Sequence, residues 1–302
     1  MRIAAALGGN ALLERGEKPD ADIQEEHVER AVTALAPLIR EHEVIITHGN
    51  GPQVGVLAIE SARDPALTRP YSFDVLGAQT QGMIGYWIAQ AVSRAMPERH
   101  AVCVICRTIV HGDDPAMSHP SKFVGPVYEQ ADANRLAGER GWQMRRDGSG
   151  WRRVVPSPEP VRIVEQGMID LLARSGATVI CAGGGGIPVT LDHAGGLHGV
   201  EAVLDKDLTA ALLATTMGAD ALLLLTDVPA VIDGYGTPAA RPIRHATAAQ
   251  LRATSFPAGS MGPKVVAACR FAEATGHPAA IGRLEDAAAL LAGAAGTTVT
   301  RD

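Results

Sequence analysis

The sequence predicts an α/β protein built on a mostly parallel sheet with helices on both faces. Apolar runs of strand length alternate with longer segments of helical period, which is the order a parallel sheet requires. Several runs, Leu222 to Leu225 above all, are apolar without interruption, as strands buried on both faces are. Glycine-rich turns close the runs, so one sheet edge collects flexible backbone.

Taken in order, Arg2 to Leu7 is the first strand and stops at Gly8-Gly9. A helical pattern near Gln24 to Glu41 leads to the strand Val44 to Thr47, and a second helix crosses Asp74 to Ala95 before the apolar run Ala101 to Val110. Between Gly112 and Pro160 the period breaks into Asp-Asp-Pro, His-Pro-Ser-Lys and Trp-Arg-Arg segments. A stretch this long is seldom structureless, and a small excursion or lid on the main sheet, about residues 112–158, is expected there. The alternation resumes with a helix near Pro160 to Arg174, the strand Thr178 to Ala182, a helix from Asp207 to Met217 and the strand Ala221 to Leu225. Residues 219–302 close the chain with short strands and helices at Gly262 to Thr275 and Glu285 to Ala292, and are read as a second lobe after residues 1–218.

At 302 residues and 46% hydrophobic composition the chain buries a large core. A net charge of −6 without a basic run argues against nucleic acid or a membrane surface as partner. Arg145-Arg146 and Arg152-Arg153 flank Asp147-Gly148-Ser149-Gly150 and read as a solvated hairpin. Cys103 and Cys106 have redox or zinc spacing but lie in an apolar strand-like run, so the four cysteines read as buried thiols in a reducing, cytoplasmic compartment. No stretch resembles a signal or a membrane span.

Only four of the 27 basic residues are lysines, and Lys122, Lys206 and Lys264 sit in Gly/Pro/Asp-rich segments. Where a generic positive charge serves, this chain uses arginine. A lysine ammonium is a compact charge on a flexible stem that can follow a phosphoryl group between donor and acceptor, so phosphoryl transfer is one reading. Compositional drift that left four lysines by chance is the other, and Lys18 reads as a solvated loop charge. Five glycine-rich turns are read as each following a strand: Leu7 to Asn10, His48 to Gln53, Ala182 to Pro188, Leu225 to Val228 and Gly259 to Lys264. Backbone N–H groups there can approach an anion, aided by helix N-termini. Neither G-x-x-x-x-G-K-[ST] nor a G-x-G-x-x-G after the first strand is present. Asp205 reads as a helix N-cap or a functional carboxylate; Asp207 reads as an organiser of nearby ammonium groups. Pro263 suits a first helical turn, which puts Lys264 at its mouth, and Lys122 can swing over the same edge from the excursion.

The chain resembles the carbamate kinases of the amino-acid-kinase superfamily along nearly its whole length. The resemblance is carried by Ala6 to Ala11, Thr47 to Gly55, Thr80 to Trp87, Gly141-Trp142, Arg152 to Pro158, Gly183 to Val189, Gly199 to Asp207 and Gly259 to Lys264. It implies a three-layer α/β/α sandwich with a protruding subdomain, an N-terminal lobe for carbamate or carbamoyl phosphate, a C-terminal lobe for ATP or ADP, Mg²⁺ with the nucleotide, and a homodimer. Related kinases carry a lysine before the first Gly-Gly, whereas carbamate kinases lack it and use a subdomain lysine. Ala6-Leu7 and Lys122 match the second pattern. By the same carry-over Lys206 and Lys264 contact the moving phosphoryl group and Asp207 organises them. Gly8, Gly9, Asn10, Asn50 and Gly51 surround carbamate and the γ-phosphate, and Thr226, Asp227, Tyr235, Met261 and Gly262 lie near the nucleotide. Two departures, Ser121 to Phe123 in the subdomain and Pro229 after Thr226-Asp227-Val228, bear on lid closure and the nucleotide loop. The implied reaction is carbamoyl phosphate + ADP ⇌ carbamate + ATP, in the ATP-forming direction of arginine and carbamoyl-phosphate catabolism. The rival readings are a same-fold kinase of another small acid or phosphate and a non-catalytic nucleotide-binding regulator.

Overall fold

Alternate side chains of the first strand divide between two cores, and that division sets the layers. In a computed structural model, which describes residues 1–14, 16–256 and 261–302 and all their side chains but that of Asn10, Ile3, Ala5 and Leu7 of β1 (Arg2–Leu7) face one helical layer. That layer is α1 (Ala21–Glu41), which presents Val28, Leu35 and Ile39, and α3 (Phe73–Ala95), which presents Ile84 and Ile88. Ala4 and Ala6 face the opposite layer, where small side chains let helices approach closely.

Chain order runs from β1 and α1 through β2 (Glu43–His48), α2 (Gly51–Arg63) and α3 to β3 (Ala101–Val104) and β4 (Arg107–Ile109). The excursion holds α4 (Pro115–Ser118), β5 (Lys122–Tyr128), α5 (Gln130–Arg140), β6 (Met144–Asp147) and β7 (Gly150–Val155). Then come β8 (Arg162–Ile163), α6 (Gln166–Arg174), β9 (Thr178–Cys181), β10 (Ile187–Leu191), β11 (Leu197–Gly199), α7 (Lys206–Thr216) and β12 (Ala221–Thr226). The last part is β13 (Val231–Asp233), β14 (Arg241–Ile243), β15 (His245–Thr247), α8 (Ala248–Arg252), α9 (Met261–Thr275), β16 (Ala279–Arg283), α10 (Ala287–Leu291) and β17 (Thr297–Thr300).

Eight strands form the main sheet in the order β15-β17-β16-β12-β1-β2-β9-β3, parallel except between β16 and β17. This is the predicted α/β/α sandwich. β1 lies between β2 and β12, so residues before and after position 218 share one continuous sheet. Helices α7 and α9 pack Ala210, Ala214, Ala268 and Phe271 on the second face, and α6 adds Ile169 and Ala173 against β9.

The excursion is a folded subdomain: an antiparallel sheet β5-β7-β6 with α5 beside it. The Arg-flanked hairpin is present, with Asp147 opposite Gly150. Val124 and Val155 share a small core with Val54 of α2 and with Phe73 and Leu76 of α3, which seats the subdomain on the body.

Four expectations need correction. Helix α2 is not apparent from the sequence, where Gly51-Pro52 looks like a turn; proline is well suited to a first helical turn, and here the helix starts there. The helix expected from Pro160 starts only at Gln166, because Arg162 and Ile163 pair with β4. The run Ala101 to Val110 is two strands in two sheets, with Ile105 and Cys106 at the break. The turn before Lys264 is preceded by α8, not by a strand, and its residues 257–260 lie outside the described residues.

Candidate active site

The carboxyl ends of β1, β2, β9 and β12 meet where the strand order reverses around β1, the place where open α/β sheets bind ligands. Close approach of their turns fixes several glycines. The Gly8 N–H donates to the Leu225 carbonyl at 3.0 Å, and a Cβ at Gly8 would stand 2.9 Å from that oxygen. A Cβ at Gly49 would lie 3.1 Å from the Gly9 nitrogen and 3.2 Å from Cδ of Lys206, so the first two turns and the lysine stem converge on one point. Gly184 takes a left-handed conformation at φ +64, and a Cβ there would overlap the Asn50 side chain.

Asn50 precedes α2 without capping it through its side chain; its amide donates to Thr80 Oγ1 of α3 at 2.9 Å. Thr80 in turn donates to the Gly77 carbonyl. No role for Thr80 follows from the sequence, although adjacent polar residues Thr80 and Gln81 on an otherwise apolar helix face are a signal there; both are buried here. Gln81 serves the scaffold: it accepts from the Cys106 N–H at 2.8 Å and donates to the Cys106 carbonyl at 3.1 Å.

Charge concentrates at the mouths of α7 and α9. Lys264 Nζ lies 3.1 and 3.0 Å from the two Asp207 oxygens, and Lys206 Nζ lies 3.2 and 3.1 Å from the same pair. Asp207 is 4% and Lys264 7% exposed, so this is a buried two-to-one cluster with one net positive charge. Burial pushes the Asp207 carboxyl upward, but Lys206 and Lys264 outweigh it and hold it at about 2. For Lys264 burial wins and draws the ammonium below its ordinary range; Lys206, with Asp205 as well as Asp207 nearby, is held above it.

Asp205 joins the subdomain to this cluster and takes the expected place of a helix cap. Its Oδ1 caps α7 by accepting from the N–H groups of Asp207 at 3.0 Å and Leu208 at 3.2 Å, while Oδ2 pairs with Lys122 Nζ at 3.0 Å. All three non-loop lysines are therefore linked through two carboxylates three residues from end to end. Thr226 sits beside Gly8, its Cα 3.6 Å from where a Gly8 Cβ would stand, and its hydroxyl bonds Asp227. Met261 and Gly262 open α9, one turn from Lys264. Gly51 is exposed at the start of α2, and the Asn10 side chain lies outside the described residues. Tyr235 is the expected residue the structure leaves apart: it is 74% exposed at the tip of the β13-β14 hairpin, with no contact to the lysine cluster.

His48 ends β2 under this floor, 1% exposed, with Nδ1 2.9 Å from the Gly49 carbonyl. Burial draws its ring down to about 4, against the opposing hydrogen bond. The folded protein thus keeps the ring neutral while the unfolded chain takes up a proton near 6.5. Stability from this group is complete above about pH 6.5 and is lost as pH falls toward 4, by about 3 kcal/mol in all. Thermal melts between pH 7.5 and 4.5 are expected to show this loss and His48→Gln to flatten it; parallel curves for the two proteins would contradict the assignment.

A sheet edge of close backbone turns with buried lysines on a shared carboxylate is suited to holding phosphate groups, and the chain belongs to the amino acid kinase family, whose model matches residues 1–283. It is 48% identical to the carbamate kinase of Rhizobium meliloti (strain 1021), over 99% of this chain and 93% of that one. To the carbamate kinase of Escherichia coli (strain K12) it is also 48% identical, over 99% of both. The solved carbamate kinase from Giardia lamblia bound to AMP-PNP matches with a TM-score of 0.92 at 38% identity, over 100% of this chain and 98% of that one. Within the family the chain stands with the carbamate kinases.

Proposed function

We propose that this protein transfers a phosphoryl group reversibly between ATP and carbamate, and that Lys122, Lys206, Lys264 and Asp207 carry the transfer. The observation that carries the reading is the buried Lys206–Asp207–Lys264 cluster at the sheet edge, with Lys122 held to it by Asp205. In the ATP-forming direction a terminal oxygen of ADP bonds to the phosphorus of carbamoyl phosphate as the bond to the carbamate oxygen breaks. Carbamate leaves as an oxyanion, so no proton need move and no general base is needed. Catalysis is positioning and charge neutralisation: Lys206 and Lys264 follow the phosphoryl group, and Asp207 keeps them apart and oriented.

Gly8, Gly9, Asn10, Asn50 and Gly51 are assigned to carbamate and the transferred phosphoryl group. Thr226, Asp227, Met261 and Gly262 are assigned to the nucleotide, with Tyr235 reaching it only if the hairpin folds over. Two lobes, 1–218 for carbamate and 219–302 for nucleotide, follow from that division. Among the described residues no three His, Cys, Asp or Glu side chains cluster as a metal cage, and Asp207 is engaged by two lysines. Mg²⁺ is assigned to the nucleotide phosphates, as the resemblance implies, where it would neutralise phosphate charge. Four free thiols suit a reducing compartment, and the protein is assigned to the cytoplasm and to arginine and carbamoyl-phosphate catabolism as the resemblance implies; among the described residues no helix is long and apolar enough to cross a membrane. A homodimer is supported by the sheet edge at β3, where Ile105 is 50% exposed and Tyr86 on the adjoining α3 is 58% exposed.

Acceptor choice tests the reading: with ADP and Mg²⁺, carbamoyl phosphate should yield ATP at least a hundredfold faster than acetyl phosphate, and equal rates would reject a carbamate-sized site. Lys122→Ala should lower turnover about a hundredfold while leaving the melting temperature within a degree or two, since this lysine is 38% exposed. Asp205→Asn keeps the helix cap and should melt like wild type, whereas Asp205→Ala should lose about 1 kcal/mol. If both Asp205 variants melt alike, the carboxylate is not a cap.

A further inference from the structure

A cavity of about 190 Å³ lies on the seam between the subdomain and the body, away from the lysine cluster. Four of its lining residues are arginines, Arg63, Arg135, Arg140 and Arg153, and none is Asp or Glu. In a chain of net charge −6 such a one-sided lining calls for an explanation. Two of the arginines spend their charge outward: Arg135 pairs with Asp132 and Glu139, and Arg153 with Glu201 at 2.7 Å. Arg63 and Arg140 have no ion-pair partner among the described residues; Arg140 donates to the Ala62 carbonyl at 3.0 Å.

The wall is aromatic and ordered. The guanidinium groups of Arg153 and Arg140 lie 4.4 and 5.1 Å from the centre of the Trp142 ring, which holds them in place through cation–π contact. Burial raises the Tyr128 hydroxyl above its ordinary range even though Arg140, Arg63 and Arg153 oppose that rise, so three guanidinium charges act on one phenol. Guanidinium groups beside a phenol hydroxyl match a carboxylate or phosphate. The volume is that of roughly six waters, which admits only a small ligand.

Position gives the cavity a consequence. Strand β5 begins at Lys122 and its later residues Val124, Gly125, Pro126 and Tyr128 line the cavity, so the strand that carries the subdomain lysine also forms the wall. On the opposite side is the end of α2, whose first turn adjoins Asn50. We infer that the seam binds a small oxyanion, a dicarboxylate or a phosphate, between Arg63, Arg140 and Tyr128, and that this ligand sets the angle of the subdomain and thereby the reach of Lys122. The second half of the inference rests on the catalytic role proposed for Lys122; the first half does not.

The test is calorimetric titration of succinate and, separately, inorganic phosphate at constant ionic strength into wild type and Arg63→Ala/Arg140→Ala. ATP formation from ADP and carbamoyl phosphate is followed in parallel. Both arginines are exposed at the rim, so the double variant should fold and keep its basal turnover; Arg63→Ala alone serves if it does not. For succinate one saturable site per chain, and for phosphate one such site besides the lysine cluster, is expected, weakened tenfold or more in the variant, with a threefold or larger change in KM or kcat that the variant lacks. Succinate acting alone would assign a dicarboxylate, phosphate alone a phosphate. Absence of saturable binding beyond the lysine cluster, such binding that survives the variant, or such binding that leaves turnover unchanged would overturn the inference. Wild-type ATP formation without either anion reports separately on the proposed activity.

Discussion

Lys264→Ala is expected to lower ATP formation from ADP and carbamoyl phosphate by about 10²–10³-fold, the effect of removing one preorganised positive group from a transferring phosphoryl. Lys264 is 7% exposed and its ammonium is bonded to both Asp207 oxygens, so it stands at a fixed point without having to be ordered during the reaction. Removing it leaves a one-to-one pair of Asp207 with Lys206, which is electrically neutral. Stability should therefore change little beyond the lost packing of the lysine stem, while kcat falls. Lys264→Arg should fare nearly as badly, because a rigid planar fork cannot replace a point charge wedged between a carboxylate and a moving group. If turnover survives Lys264→Ala within a few-fold, the cluster is structural.

Asp207→Ala is expected to do the opposite kind of damage. Two ammonium groups would face each other across a buried space without their shared counter-charge, a loss of about 3–5 kcal/mol. Over a chain of this length that is about 5–8 °C in melting temperature at ~2.1 cal/mol/K per residue. Lys264, already drawn down by burial, should give up its proton first and soften the loss as pH rises. A bound phosphate or ADP supplies negative charge at the same place, so it should raise the melting temperature of Asp207→Ala more than that of wild type. Equal ligand-induced shifts in the two proteins would mean that the lysines do not face the ligand. In wild type the carboxylate's contribution is present above the ordinary carboxylate range near 3.8 and lost as pH falls through about 2, well below the window set by His48.

The sheet was legible because buried parallel strands have a one-dimensional signature. Ile3 to Leu7 and Ala221 to Leu225 are apolar throughout and pair side by side as such runs must. Helix α2 was hidden because its opening Gly51-Pro52 serves equally as a turn, and local sequence does not choose between them; packing of Val54 beneath the subdomain does. The lysines stood out by their rarity, and Asp207 by its place at a helix start. That one carboxylate would hold two ammonium groups depends on the distance between α7 and α9, helices whose first residues are 55 positions apart in sequence. The bond from Lys122 to Asp205 spans 83 positions and was likewise invisible. Tyr235 was assigned by resemblance alone, and the hairpin that carries it stands out into solvent.

The central claim is that this sheet edge moves a phosphoryl group between carbamate and nucleotide. Purified protein with ADP, Mg²⁺ and fresh carbamoyl phosphate, followed for ATP against a Lys264→Ala control, tests it most directly. Rapid ATP formation that the control loses by two orders of magnitude is the predicted result. ATP formation no faster than in the control, from protein shown to bind ADP, would contradict it.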